Sequence, residues 1–139
     1  MSDNISESST EHAAQPNASS RVCDAMLNIG KGVGLNQAGK DLKLGKWDVN
    51  PPTIVTGPYD GPFFLASGRS DDSHGTEGTI KYNASDDASF FLDFNVPYSR
   101  SNTTSLRCEG KDCNLYSYSA SRVPESGYRT TPVYTITRK

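Results

Sequence analysis

Short apolar stretches separated by turn residues run the length of the chain, and no segment holds a helical period. Residues 21–29 alternate imperfectly, as a strand does, and the glycine-rich run 30–34 reads as a turn. Residues 40–47 alternate polar with apolar in the manner of a half-buried strand, and Asn50-Pro51-Pro52 stops it because proline cannot donate to a ladder. A short strand over 53–56, a loop over 57–62 and an apolar run, Phe63-Phe64-Leu65-Ala66, follow. Further strands are expected at 79–83 and 88–96. Residues 103–108 and 113–120 read as a hairpin around Glu109-Gly110-Lys111-Asp112, and a last strand covers 132–137. Many short strands with turn signals between them imply an all-β fold, an antiparallel β-sandwich in a single domain.

Residues 1–20 are rich in Ser, Asn, Glu and Ala and cannot bury enough apolar surface to order themselves. They are expected to form a flexible tail before a domain at 21–139. The full 139 residues leave little room for a second core. A net charge of −2 argues against nucleic acid as a partner. No apolar run approaches the roughly 20 residues of a membrane span, and no Sec-type signal is visible near residue 1. Three cysteines, Cys23, Cys108 and Cys113, do not make an even framework. Reduced thiols are the expectation, with a Cys108–Cys113 bridge left open. A zinc site lacks its second ligand pair, so neither metal nor cofactor is expected.

Candidate chemistry concentrates between Ser67 and Ile80. Gly68, Gly75 and Gly78 give backbone freedom, and Ser70, Asp71, Asp72 and Ser73 can bond their own backbone, so the stretch reads as a long hairpin-like loop. Arg69 stands among Asp71, Asp72 and Glu77, where an ion pair within the loop is expected. Ser70, Asp72 and His74 are hydrolase-triad residue types, but triads are assembled from separate elements, and no enzyme is inferred. The run 34–40 imitates a phosphate-binding loop, yet Asp41 stands where Ser or Thr is needed. Two polar-aromatic patches remain, Leu44-Gly45-Lys46-Trp47 and Phe94-Asn95-Val96-Pro97-Tyr98-Ser99-Arg100-Ser101-Asn102. Trp and Tyr suit a water–lipid boundary, and Lys or Arg can reach a phosphate. On the residues alone they also read as a core Trp and a rim Tyr with solvated charges.

The run from Gly68 to Ile80, G-R-S-D-x-x-x-G-T-x-G-T before an apolar residue, resembles the signature segment of the aegerolysins, small acidic β-proteins that recognise membrane lipids. The resemblance extends weakly over 21–139. Where fungal members have W-G-K this chain has Leu44-Gly45-Lys46, and Trp47 matches the tryptophan that some carry next. Where they have C-P-W-G-S-K, Tyr98 replaces the tryptophan and Arg100 supplies the cation. His74 stands at their glutamate, and Ser67 at their cysteine.

The resemblance implies a sphingomyelin or ceramide phosphoethanolamine headgroup read by Lys46, Trp47, Arg69, His74, Tyr98 and Arg100. It also implies a partner with a membrane-attack-complex/perforin (MACPF) domain that makes the pore; some such pairs are insecticidal. The chain would be made in the cytoplasm, released by an unconventional route, and act at a target-cell membrane surface. A non-membrane module binding carbohydrate or protein is the alternative.

Overall fold

Alternation along Ser89–Pro97, the seventh strand in chain order (β7), shows how the sandwich is built. In Ser89–Pro97, Phe90, Leu92, Phe94 and Val96 are buried while Ser89, Phe91, Asp93 and Asn95 are only partly covered, because successive strand residues face opposite ways. The computed structural model describes residues 21–69, 75–97, 101–121 and 129–139. The elements are β1 (Val22–Ile29), β2 (Gly34–Leu44), β3 (Lys46–Val49), β4 (Ile54–Thr56), β5 (Tyr59–Ser67), β6 (Gly75–Asn83), β7 and β8 (Thr103–Glu109). A short 3-10 turn (Cys113–Leu115), β9 (Tyr116–Ala120), β10 (Arg129–Thr130) and β11 (Val133–Arg138) complete them.

Two sheets form. One has the order β9-β11-β1-β5-β3, and the other β4-β2-β6-β7-β8. The second is antiparallel throughout, and in the first β1 takes both β10 and β11 as parallel neighbours along one side. The all-β sandwich expectation holds, with this parallel seam added. Between the sheets Leu27, Ile29, Phe63, Phe64, Tyr134 and Ile136 meet Ile80, Tyr82, Phe90, Leu92, Phe94 and Val96. Each such side chain contributes about 1.5–3 kcal/mol by burial. Tyr134 is fully buried, and its hydroxyl donates across the sandwich to the Asp93 carbonyl at 2.8 Å.

Several expected boundaries change. The loop expected at 57–62 is mostly strand, since β5 begins at Tyr59. A register shift sets Ala25 opposite Phe64 and Met26 opposite Pro62, which leaves Phe63 as an extra residue and lets both phenylalanines turn inward. Pro62 is tolerated because β3 pairs β5 only at Leu65, Ala66 and Ser67, leaving no ladder partner on that side. The stretch 67–80 is no hairpin: β5 and β6 lie in different sheets, so it is a crossover, and Gly75 to Ile80 are already strand. The expected hairpin of 103–108 with 113–120 fails likewise, for β8 pairs β7 while β9 pairs β11. Cys108 and Cys113, expected reduced, are joined by a disulfide with Cα atoms 6.0 Å apart, where the chain crosses between sheets. Cys23 is free and buried, and desolvation pushes its thiol well up. The expected tail, residues 1–20, lies outside the described residues.

Candidate functional site

Lys46 and Trp47 owe their position to one glycine. The strand expected over 40–47 breaks at Gly45, where the chain leaves β2 in one sheet and enters β3 in the other. Gly45 has φ +95°, and a Cβ there would lie 2.5 Å from the Ser67 carbonyl oxygen and 2.7 Å from Thr76 Oγ1. No other residue type fits that turn without displacing backbone. Thr76, itself buried, donates to the Leu44 carbonyl at 3.2 Å just before the turn.

Beyond it Lys46 pairs in register with Ser67 at the end of β5. Its Nζ lies 2.5 Å from Asp48 Oδ1 and 3.0 Å from Ser67 Oγ, and Ser67 Oγ donates to Asp48 Oδ2 at 2.6 Å. The lysine side chain remains 48% exposed, so the pair is a positioned surface cation worth about 0–1 kcal/mol to stability. Sequence reasoning passed over Asp48 and the role of Ser67. The signal for Asp48 was there, because residues two apart on a strand share a face.

Trp47 points the other way. Its ring meets Phe64 of one sheet at 5.4 Å edge-on and Phe94 of the other at 5.9 Å, with Lys40 Nζ 5.7 Å from its centroid. The indole is partly buried and bridges the two sheets at their end.

The same end gathers other pieces. Gly68 N donates to the Arg21 carbonyl at 3.0 Å, and Arg69 follows it, exposed. Gly75, opening β6, pairs with Pro97, closing β7, and Asn102 Nδ2 donates to Thr130 Oγ1 at 3.0 Å in a buried tie to β10. Of the six candidate residues, Lys46, Trp47 and Arg69 are described, and they lie at one end of the sandwich. His74, Tyr98 and Arg100 lie outside the described residues, as do the Ser70 and Asp72 that would complete a triad with His74. Among the described residues no group of three or more His, Cys, Asp or Glu converges to hold a metal, and no helix is long and apolar enough to cross a membrane.

The G-T-x-G-T part of the signature serves the fold. Gly75 has φ +83°, and a Cβ would fall 2.2 Å from the Val96 carbonyl oxygen. Thr76 anchors the sheet switch as above, and Thr79 Oγ1 donates to Asp93 Oδ1 at 2.6 Å across the β6–β7 pair.

No protein-family model and no curated protein sequence matches the chain. Solved structures do. They define a class, a single-domain two-sheet sandwich that includes a lipid-binding protein. The lipid binding protein Nakanori superposes with a TM-score of 0.71 at 11% identity, over 84% of this chain and 71% of its own. IP-1A from Alcaligenes faecalis is similar with a TM-score of 0.68 at 19% identity, over 88% of this chain and 94% of its own. RahU protein, in complex with a TRIS molecule, gives 0.60 at 17% over 88% and 98%. At these identities the likeness is one of fold.

Proposed function

We propose that this chain is an aegerolysin-like binder of a membrane-lipid headgroup. The observation that carries the proposal is the fold shared with the lipid binding protein Nakanori along 84% of the chain. Two cationic side chains at one end of that fold add support. Lys46 is held by Asp48 and Ser67, and Arg69 stands two residues beyond Ser67. An ammonium and a guanidinium at a rim supply donors to a phosphate, the guanidinium in a fork. Trp47 supports the rim from within by tying its two sheets together. Tyr98 and Arg100 would add an interfacial aromatic and a third cation, and His74 a further hydrogen-bonding group.

The headgroup class is that of sphingomyelin or ceramide phosphoethanolamine. The division of labour is that this chain supplies membrane specificity while a MACPF-domain partner builds the spanning pore, at the surface of a target cell. No catalytic step is assigned to it.

Sedimentation with vesicles of phosphatidylcholine, sphingomyelin–cholesterol or ceramide phosphoethanolamine tests the reading. Retention on one of the two sphingolipid mixtures but not on phosphatidylcholine is expected, with roughly tenfold weaker binding in Lys46→Ala/Arg69→Ala, about the value of one charged hydrogen bond. Tyr98→Ala and Arg100→Ala belong in the same titration. No retention on any mixture overturns the proposal in favour of a non-membrane binding module. Dye release by the chain alone at low concentration would remove the need for a pore-forming partner.

A further inference from the structure

The outer face of the second sheet carries a shallow cleft of about 280 Å³ over β6, β7 and β8. Two rows of polar side chains cross it in register. In one, Thr79, Asp93 and Ser105 stand abreast and satisfy one another: both hydroxyls donate to the Asp93 carboxylate, at 2.6 and 3.0 Å. In the next row, toward the rim, Glu77, Asn95 and Thr103 stand abreast in the same way. Among the described residues these three side chains make no hydrogen bond or ion pair. A carboxylate acceptor, an amide that both donates and accepts, and a hydroxyl are thus left open side by side, on strands about 4.8 Å apart.

The surroundings narrow the ligand's chemistry. The residues lining the cleft include two carboxylates and no cation. Two cations on the same sheet are already engaged. Arg107 lies 3.5 Å from Asp93 and 2.9 Å from Glu109, with its guanidinium carbon 4.2 Å from the Phe91 ring centroid, and Lys81 Nζ sits 5.4 Å from the same centroid. An anion would meet the Glu77 and Asp93 carboxylates with no cation among the residues lining the cleft, so this face is unsuited to the phosphate proposed for the rim. The two cations over Phe91 also leave no open ring for an apolar or quaternary ammonium group to stack on. A neutral ligand whose hydroxyls donate to Glu77 and accept from Asn95 and Thr103 meets every open group. The volume lies just below the roughly 300–1,000 Å³ of small-molecule sites, a size for one small polyhydroxylated ring.

We propose that the cleft over β6, β7 and β8 is a saccharide-binding site in which Glu77, Asn95 and Thr103 hydrogen-bond the hydroxyls of a neutral sugar ring. It is separate from the rim and does not depend on lipid binding there. The sugar reaches it either free or as the headgroup of a glycolipid.

Saturation-transfer NMR on the full chain with methyl α-glucoside, methyl β-galactoside and lactose tests the site, with glucuronate as the anionic comparison. At least one neutral sugar is expected to bind and glucuronate to bind more weakly. Asn95→Ala and Glu77→Ala should each weaken the neutral sugar about tenfold, while Lys46→Ala leaves it unchanged. Thr103→Val, a near-isosteric change on the outer strand, gives the same reading should Glu77→Ala lower the melting temperature. Absence of transfer from all three neutral sugars at millimolar concentration overturns the site, as does binding that the Asn95 and Thr103 variants leave untouched. Vesicles of phosphatidylcholine with and without glucosylceramide then separate the sources. Retention only with glucosylceramide, lost in Asn95→Ala, assigns a glycolipid, and solution binding without retention assigns a free saccharide.

Discussion

Trp47→Ala separates a packed indole from a membrane-facing one. The ring makes an edge contact with Phe64 and a tilted contact with Phe94, and each such pair is worth about 0.5–1.5 kcal/mol beyond its area. Lys40 over the ring adds roughly 0.5 kcal/mol, the figure for an exposed cation–π pair. Partial burial of the indole contributes about half of the 1.5–3 kcal/mol of a fully buried large side chain. The expected loss is therefore about 2–5 kcal/mol, which in a domain of this size lowers the melting temperature by roughly 10 °C or more. Trp47→Phe keeps a ring between Phe64 and Phe94 and should lose no more than about 1.5 kcal/mol. Urea and thermal unfolding followed by far-UV circular dichroism are the assay, because the variant removes the chain's one tryptophan and with it the fluorescence signal. A melting temperature within about 2 °C of wild type in Trp47→Ala, together with lost vesicle binding, would show that the indole works outside the fold and refute this account.

Three further perturbations follow from the same geometry. Gly75→Ala forces a side chain into a left-handed backbone against the Val96 carbonyl and should cost at least about 2 kcal/mol by the same unfolding assay, since strain and overpacking act together. Replacing Cys108 and Cys113 by Ser opens a loop closed over a sequence separation of 5, so the loss should be near 2 kcal/mol, the small-loop end of the disulfide range. At Asp86, slight desolvation raises the carboxyl, but hydrogen bonds from Arg138 and Tyr116 outweigh it and hold the pKa below the ordinary range. A depressed folded pKa gives stability that is present above the unfolded value of about 3.9 and lost as pH falls through the folded one. Asp86→Asn should therefore lower the melting temperature at pH 7 and flatten its decline below about pH 4. An acid limb of unchanged steepness would show that this cluster does not contribute to it.

What the residues alone determined is local. Alternation marked most of the strands, with 88–96 falling within one residue of β7 at each end, because the face a side chain takes is written in a period of two. The double proline at 51–52 ended the preceding strand pair as expected, and of the signature glycines Gly75 takes the positive φ expected of such a residue. Lys46 and Arg69 were legible as cations on the residues alone, and their placement at one end came only with the sheets.

The tertiary structure decided which sheet each strand joins. The crossovers after Ser67 and Cys108 read as hairpin turns in sequence, because a turn residue bends the chain in the same way whether the next strand returns to its neighbour or crosses the core, and the switch at Gly45 lay unmarked within a single expected strand over 40–47. That choice belongs to long-range pairing, such as β1 accepting β11 in parallel across more than a hundred residues of chain. It settled the position of Trp47, whose alternation said only that it faces away from Lys46. The direction became inward when Gly45 carried β3 into the sheet whose Phe64 waits beneath it, opposite Phe94. The open row of Glu77, Asn95 and Thr103 has the same origin. Those three residues stand far apart along the chain, and only the register of three strands brings them abreast.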